Sequence, residues 1–242
     1  MLKYKDYLVQ WLKNEVKKSG QRGVIVGMSG GVDSSVVASL AKEAFPNNSL
    51  GVYLPIGDMG QDLVDAKLVT DAINIETITV NLTDSYETTA KAVGTKTKLA
   101  TANIKPRLRM TALYALAQEN NYLVLGTDNQ AEWILGYFTK YGDGGVDLLP
   151  IVHLTKGEVM QMAKDMQLPE VIYTKKPTAA LWEGQTDEQE LGYSYDEVDK
   201  YIKGKKIDSE IKIKIEKQIK VTQHKRDTLP EPLNRKEFNK KA

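Results

Sequence analysis

The stretch Ser29-Gly30-Gly31-Val32-Asp33-Ser34-Ser35 puts two glycines, three hydroxyls and one carboxylate side by side. Adjacent glycines let a backbone turn sharply and bring its amides close to a ligand. An apolar run, Val24-Ile25-Val26, leads in, and a helical pattern leads out. A helix that starts here offers unpaired N–H groups and the positive end of its dipole. The segment Gly27, Met28, Ser29, Gly30, Gly31, Val32, Asp33 and Ser34 thus reads as an anion site suited to pyrophosphate, with the hydroxyls as further donors. Asp33 belongs in such a site only if a cation separates it from phosphate. Mg²⁺ takes carboxylate and phosphate oxygens together, so Asp33 reads as a magnesium ligand. Neither G-x-x-x-x-G-K-[ST] nor G-x-G-x-x-G occurs, which leaves Walker-type and dinucleotide-Rossmann sites without support.

These groups need a scaffold, and the chain alternates strand and helix patterns. Tyr4, Leu8, Trp11, Leu12 and Val16 recur at helical spacing, and Ser19-Gly20 ends the run. Strands are expected at 23–28, 50–54, 77–82 and 122–125. Helices are expected at 33–44, 61–73, 84–93, 105–120 and, rich in lysine, 207–221. Thr155-x-x-Glu158 and Ser194-x-x-Glu197 are capping boxes that open two more. The alternation predicts an α/β fold, a parallel β-sheet flanked by helices on both faces. Ligands of such sheets bind beyond the carboxyl ends of the strands. Loops 28–34 and 126–132 both follow strand ends and should face one crevice. Residues 175–190, aperiodic and holding Pro177 and Gly184, read as a mobile loop that closes over ligands.

The loop Ser29–Ser34 matches the SGGxDS pattern of the N-type ATP pyrophosphatases, which adenylate a substrate with ATP. The stretch LGTDNQAEWILGYFTKYGDGGVDLLPI at 125–151 resembles the signature of ammonia-dependent NAD synthetases. So do KPRLRMTALYALA at 105–117, KPTAALWEGQTDEQELG at 176–192 and HKR at 224–226. The resemblance covers nearly the whole chain in family order. It implies one NAD synthetase domain over 1–242, ending in a basic helix and tail from about 207, with a Rossmann-like adenine nucleotide alpha hydrolase-like fold. It implies a reaction of deamido-NAD, ATP and ammonia to NAD, AMP and pyrophosphate, and a homodimer.

Residue by residue, the resemblance makes Glu132 the second magnesium ligand beside Asp33, whereas a lone glutamate there would serve the helix dipole. It makes Thr127, Lys156 and Thr178 ATP contacts. Lys156 can neutralise phosphate as a point charge, or else be solvated at a helix start. Arg107, Lys140, Asp147, His224 and Lys225 match positions that hold deamido-NAD. Asp147 can take ribose hydroxyls or ammonium; Asp33, Lys156 and Asp147 are the residues expected to carry the chemistry. Arg109 reads as a structural partner. Pro106 stands where many relatives have a small helix former, and 55–62 departs from the family wording, which leaves the adenine side without assigned contacts.

The 242 residues hold 33 basic and 32 acidic side chains, so no overall charge draws the chain to nucleic acid or membrane. Residues 201–242 are the exception, with 13 basic against 6 acidic side chains. That face reads as a solvated helix surface or as a contact for an anionic ligand. No apolar run is long enough to span a bilayer and no signal peptide opens the chain, so a cytoplasmic protein is expected. There is no cysteine, which excludes disulfides, thiolate metal sites and a cysteine nucleophile. No glutaminase domain is expected, and the nitrogen donor should be free ammonia. The rival readings are another adenylating enzyme of the same superfamily, an amidotransferase or a tRNA-modifying one, and a non-catalytic nucleotide-binding protein.

Overall fold

The computed structural model describes residues 1–175 and 187–241. Its elements run α1 Leu2–Ser19, β1 Gly23–Gly27, α2 Val32–Ala44, β2 Ser49–Tyr53, α3 Gln61–Ile73, β3 Glu76–Thr79, α4 Thr83–Val93, α5 Lys98–Ala102, α6 Ile104–Asn120 and β4 Tyr122–Val124. Then follow α7 Gln130–Leu135, α8 Lys156–Asp165, α9 Glu170–Thr174, α10 Asp187–Leu191, α11 Tyr195–Ile202, α12 Ser209–Val221 and α13 Arg235–Lys241. Residues 176–186, and with them Thr178 and most of the expected closing loop, lie outside the described residues.

The strands form one parallel sheet in the order β3-β2-β1-β4. Alternation along β1 sends Val24 and Val26 into one core and Ile25 into the other. The first core lies under α1, α2 and α8 and takes Leu8, Leu12 and Val16, spaced four apart on one helix face. The second lies under α6, whose Met110, Leu113 and Ala117 meet Ile25, Val52 and Val124. A third, smaller cluster joins α7, α11 and α12 through Leu135, Val198 and Ile215. Both sheet faces are covered, as expected. The chain leaves β1 toward β2 on one side and returns as β4 on the other, so a crevice opens between the carboxyl ends of β1 and β4.

One strand and four short helices differ from the expectation. The third strand stops at Thr79, because its partner runs into Pro55. Val80 N still donates to Tyr53 O and Leu82 N to Pro55 O, but a proline has no N–H with which to answer. The helices α5, α9, α10 and α13 leave no periodic signature in the sequence, because five to seven residues are too few to show one. Pro106 falls in the first turn of α6, where a missing N–H costs nothing, and the helix starts at Ile104. Among the described residues no helix is long and apolar enough to cross a membrane.

Ile25 is fully buried at the centre of the sheet. Ile25→Ala should lower unfolding stability by about 2–5 kcal/mol in urea titrations.

Candidate active site

The turn after β1 is built around Gly30. Its φ is 82°, and a Cβ there would collide with the main-chain carbonyl of Asp62. The serines knit the turn together. Gly31 N donates to Ser29 Oγ at 3.3 Å, and Ser35 Oγ donates to Gly31 O at 2.7 Å. Ser34 Oγ lies 2.9 Å from Ser29 Oγ and donates to Gly31 O at 3.1 Å. Ser34 and Ser35 are buried, so their hydroxyls, expected to face an anion, brace the loop instead. What the loop presents is backbone. Gly31 caps α2 in extended conformation with no side-chain hydrogen bond, which leaves the amides of the first turn to a ligand.

The loop after β4 arrives from the other side of the crevice. Asn129 caps α7 and forms a capping box with Glu132. Asn129 Oδ1 accepts from Glu132 N at 3.1 Å, and Asn129 N donates to Glu132 Oε2 at 3.2 Å. The Asn129 amide also donates to Asp33 Oδ1 at 2.9 Å, across the crevice. The fully buried Asn129 therefore orients both expected magnesium ligands, Asp33 through its side-chain amide and the Glu132 carboxylate through its main-chain N–H. Lys156, the first residue of α8, completes the group. Its Nζ lies 2.5 Å from Asp33 Oδ2 and 3.2 Å from Glu132 Oε1. It is 4% exposed, so it is not the solvated lysine that its position allowed.

Burial drives the electrostatics here. It pushes the Glu132 carboxyl up to about 7, the Lys156 charge pulling it back and Asp33 raising it further. Burial also disfavours the Lys156 ammonium, but Asp33 and Glu132 outweigh that and hold its pKa above the ordinary value. Tyr195, with its ring 5.0 Å from the ammonium, is held far above a normal phenol by burial and by Glu132 and Asp187. Asp128, between Thr127 and Asn129, is buried with Oδ2 unpartnered, and burial followed by Asp143 raises it well above the usual carboxylate range. Asp33 Oδ2 and Glu132 Oε1 converge on a single cationic centre, so the donor set fits a divalent cation completed by phosphate oxygens and water. Among the described residues no third carboxylate or histidine joins them.

A second group lies along the segment after α7. Lys225 Nζ donates to Gly136 O at 2.6 Å and Phe138 O at 2.7 Å. Lys140 Nζ donates to His224 O at 2.7 Å, and Arg107 Nε donates to Lys140 O at 3.2 Å. Arg107, Lys140, His224 and Lys225 are thus brought together, as expected of residues sharing one ligand. Asp147 is held elsewhere. Its Oδ2 accepts from Val124 N at 2.8 Å and its Oδ1 from Tyr114 Oη at 2.9 Å, which ties it to β4 and α6. Arg109 is structural, as read, and donates from Nε to Leu54 O at 3.0 Å.

A family model described as NAD synthase matches residues 4–239. The chain belongs to the NAD synthase family. A curated relative from Mycoplasmopsis pulmonis, an NH(3)-dependent NAD(+) synthetase, is 55% identical over 239 residues, spanning 98% of this chain and 93% of its own length. The NMN synthetase structure from Francisella tularensis is 38% identical with a TM-score of 0.90, covering 95% of this chain and 97% of its own. The NH3-dependent NAD synthetase of Campylobacter jejuni, solved with a nitrate ion, is 28% identical with a TM-score of 0.81, covering 96% and 98%. The fold is the adenine nucleotide alpha hydrolase-like fold that NAD synthetases share.

Within this NAD synthase fold, Asn129 and Tyr195 are the site residues that sequence reasoning missed. Asn-x-x-Glu at 129–132 is a capping box as plain as the two that were read. Glu132 serves both as the N3 partner of that box and as a site carboxylate, and only the structure shows the two uses together. Asn129→Ala should cost about 1 kcal/mol of stability from the lost cap and lower turnover by releasing Asp33, as thermal unfolding and steady-state rates would show. Gly30→Ala should fold poorly or lose nucleotide binding, because the added methyl meets backbone rather than a movable side chain; calorimetric titration with ATP checks it.

Proposed function

We propose that this chain converts deamido-NAD to NAD, using ATP to activate the nicotinate carboxylate and free ammonia as nitrogen donor. What supports the reading is the convergence of Asp33, Glu132 and Lys156 at the mouth of an uncapped helix N-terminus, in a chain of the NAD synthase family. A carboxylate is a poor acyl donor because its leaving group would be oxide. Attack of a carboxylate oxygen on the α-phosphorus of ATP releases pyrophosphate and gives an acyl-adenylate. Ammonia then adds to the carbonyl carbon and AMP departs. The protein's work is to hold two anionic nucleotides in register and to offset charge on the leaving pyrophosphate.

In this reading the ATP phosphates lie on the backbone of 27–34, with Thr127, Lys156 and Thr178 as further contacts. Asp33 and Glu132 hold Mg²⁺, which when bound neutralises phosphate charge. Arg107, Lys140, His224 and Lys225 receive deamido-NAD. The carbonyls that hold these cations carry no full charge, so the patch keeps its attraction for a dinucleotide pyrophosphate. Asp147 contributes acceptor lone pairs beyond those its own hydrogen bonds use. The active form is a cytoplasmic homodimer.

The purified chain with ATP, Mg²⁺, deamido-NAD and ammonium chloride should form NAD and AMP in equal amounts. Glutamine as sole donor should give none, since no thiolate is present to open its amide. The Francisella neighbour is named for NMN, the mononucleotide half of NAD, so the corresponding mononucleotide acid forms a second arm. Faster turnover of that acid would reassign the substrate. Asp33→Asn should keep the circular dichroism spectrum and cut turnover at least about 100-fold. Wild-type turnover by that variant at limiting Mg²⁺ would refute the metal assignment.

A further inference from the structure

The hydroxyl of Tyr195 stands between two carboxylates from different parts of the chain. It lies 2.9 Å from Asp187 Oδ2 and 3.3 Å from Glu132 Oε1. Tyr195 is 5% exposed and Asp187 3%, and the Glu132 side chain is 15% exposed. The tyrosine has little freedom. Its N–H donates to Glu188 Oε1 at 2.9 Å, and it is the first residue of α11, directly after the cap Ser194 and inside the Ser194–Glu197 capping box. Its ring lies under the Lys156 ammonium. Glu132 Oε2 is already taken by the Asn129 N–H, so Oε1 is the oxygen aimed at the cation position, and Lys156 and Tyr195 both address it.

We infer that Tyr195 is a positioning residue: its single hydroxyl proton, shared between Asp187 Oδ2 and Glu132 Oε1, sets the direction of Glu132 Oε1 and thereby how tightly the Asp33–Glu132 pair holds a divalent cation. The inference rests on the metal reading of Asp33 and Glu132 given above. Without the hydroxyl, Glu132 Oε1 keeps only the Lys156 ammonium, which a bound cation repels, so that oxygen is freer to swing from an octahedral site, and Mg²⁺ tolerates little departure from that geometry. Groups that orient metal ligands typically change affinity or activity by about 10–100-fold when removed.

The test is Tyr195→Phe, which keeps the ring under Lys156 and removes only the hydroxyl. The Mg²⁺ concentration for half-maximal NAD formation should rise about tenfold, with the deamido-NAD KM unchanged and most of kcat restored at saturating Mg²⁺. Mn²⁺ binding, followed by electron paramagnetic resonance in the presence of a non-hydrolysable ATP analogue, should weaken to the same degree. Tyr137→Phe is the control. Its hydroxyl reaches Glu190 at 2.8 Å and Asp187 at 3.4 Å but has no bond to Glu132, so its Mg²⁺ requirement should stay at the wild-type value. An unchanged Mg²⁺ requirement in Tyr195→Phe overturns the inference. So does an equal shift in Tyr137→Phe, or failure of Tyr195→Phe to fold, since the hydroxyl would then serve structure alone. A wild type that needs no divalent cation refutes the metal reading and this inference with it. A divalent-dependent wild type, an inactive Asp33→Asn and a Tyr195→Phe like the wild type refute this inference alone.

Discussion

One ammonium group governs the crevice. Lys156 Nζ sits within reach of Asp33 and Glu132, which arrive on different loops from different strands. Two carboxylates this close and this poorly hydrated repel each other and lose solvation. A buried ion of one sign left without its partner costs about 3–5 kcal/mol. The fold can bring the two acids together only because a cation is delivered to the same point. Delivery is rigid: Lys156 is the first residue of α8, held there by the Thr155–Glu158 capping box and by Asp199, which accepts from the Lys156 and Gly157 amides. Sheet order supplies the rest. With β1 and β4 adjacent and their onward connections diverging, both loops open into the same gap.

The two charged groups are balanced differently. At the Gly-rich loop the lysine is matched by carboxylates, and any phosphate there must compete for it. Along the segment after α7 the cations rest against carbonyl oxygens, which carry dipoles but no full charge. Lys225 loses some of its proton affinity to burial, and Asp143 and Asp128 return part of it. The outcome is a patch that stays net positive beside one in which two carboxylates face a single ammonium. Those are fitting environments for a ligand that brings its own charge and for one that arrives with a metal.

Much of this was readable from residue order. The strand and helix alternation foretold the parallel sheet, and Asp33 amid glycines and serines singled out the loop that the structure brings against Glu132 and Lys156. Glu132, Lys156 and the Arg107–Lys225 group came from family resemblance, since a glutamate or lysine at a helix start has an ordinary use for its charge. Two things were hidden for physical reasons. Ser34 and Ser35 looked like phosphate donors, but a hydroxyl near a tight turn finds its nearest acceptor in the turn itself. Tyr195 lies far from Glu132 in sequence, and a tyrosine opening a helix carries no mark of what its hydroxyl will meet. Side-chain direction across a crevice is set by packing, and packing is not a local property.

The short helix α7, which carries Glu132, ends in carbonyls that its own six residues cannot satisfy. Thr222 donates to Leu135 O, Arg226 to Trp133 O, and Lys225 to Gly136 O and Phe138 O. Every one of these donors lies between 222 and 226, 87 to 93 positions further along the chain. A ribosome that has made the sheet, the Gly-rich loop and even α8 has therefore made every charged group around Lys156 without the brace that steadies one of them. Only when residues up to 226 have emerged does that helix gain its far support. The helix that carries Glu132 is thus steadied at its far end by a segment remote in sequence, so its orientation is a property of the whole fold and not of its own six residues.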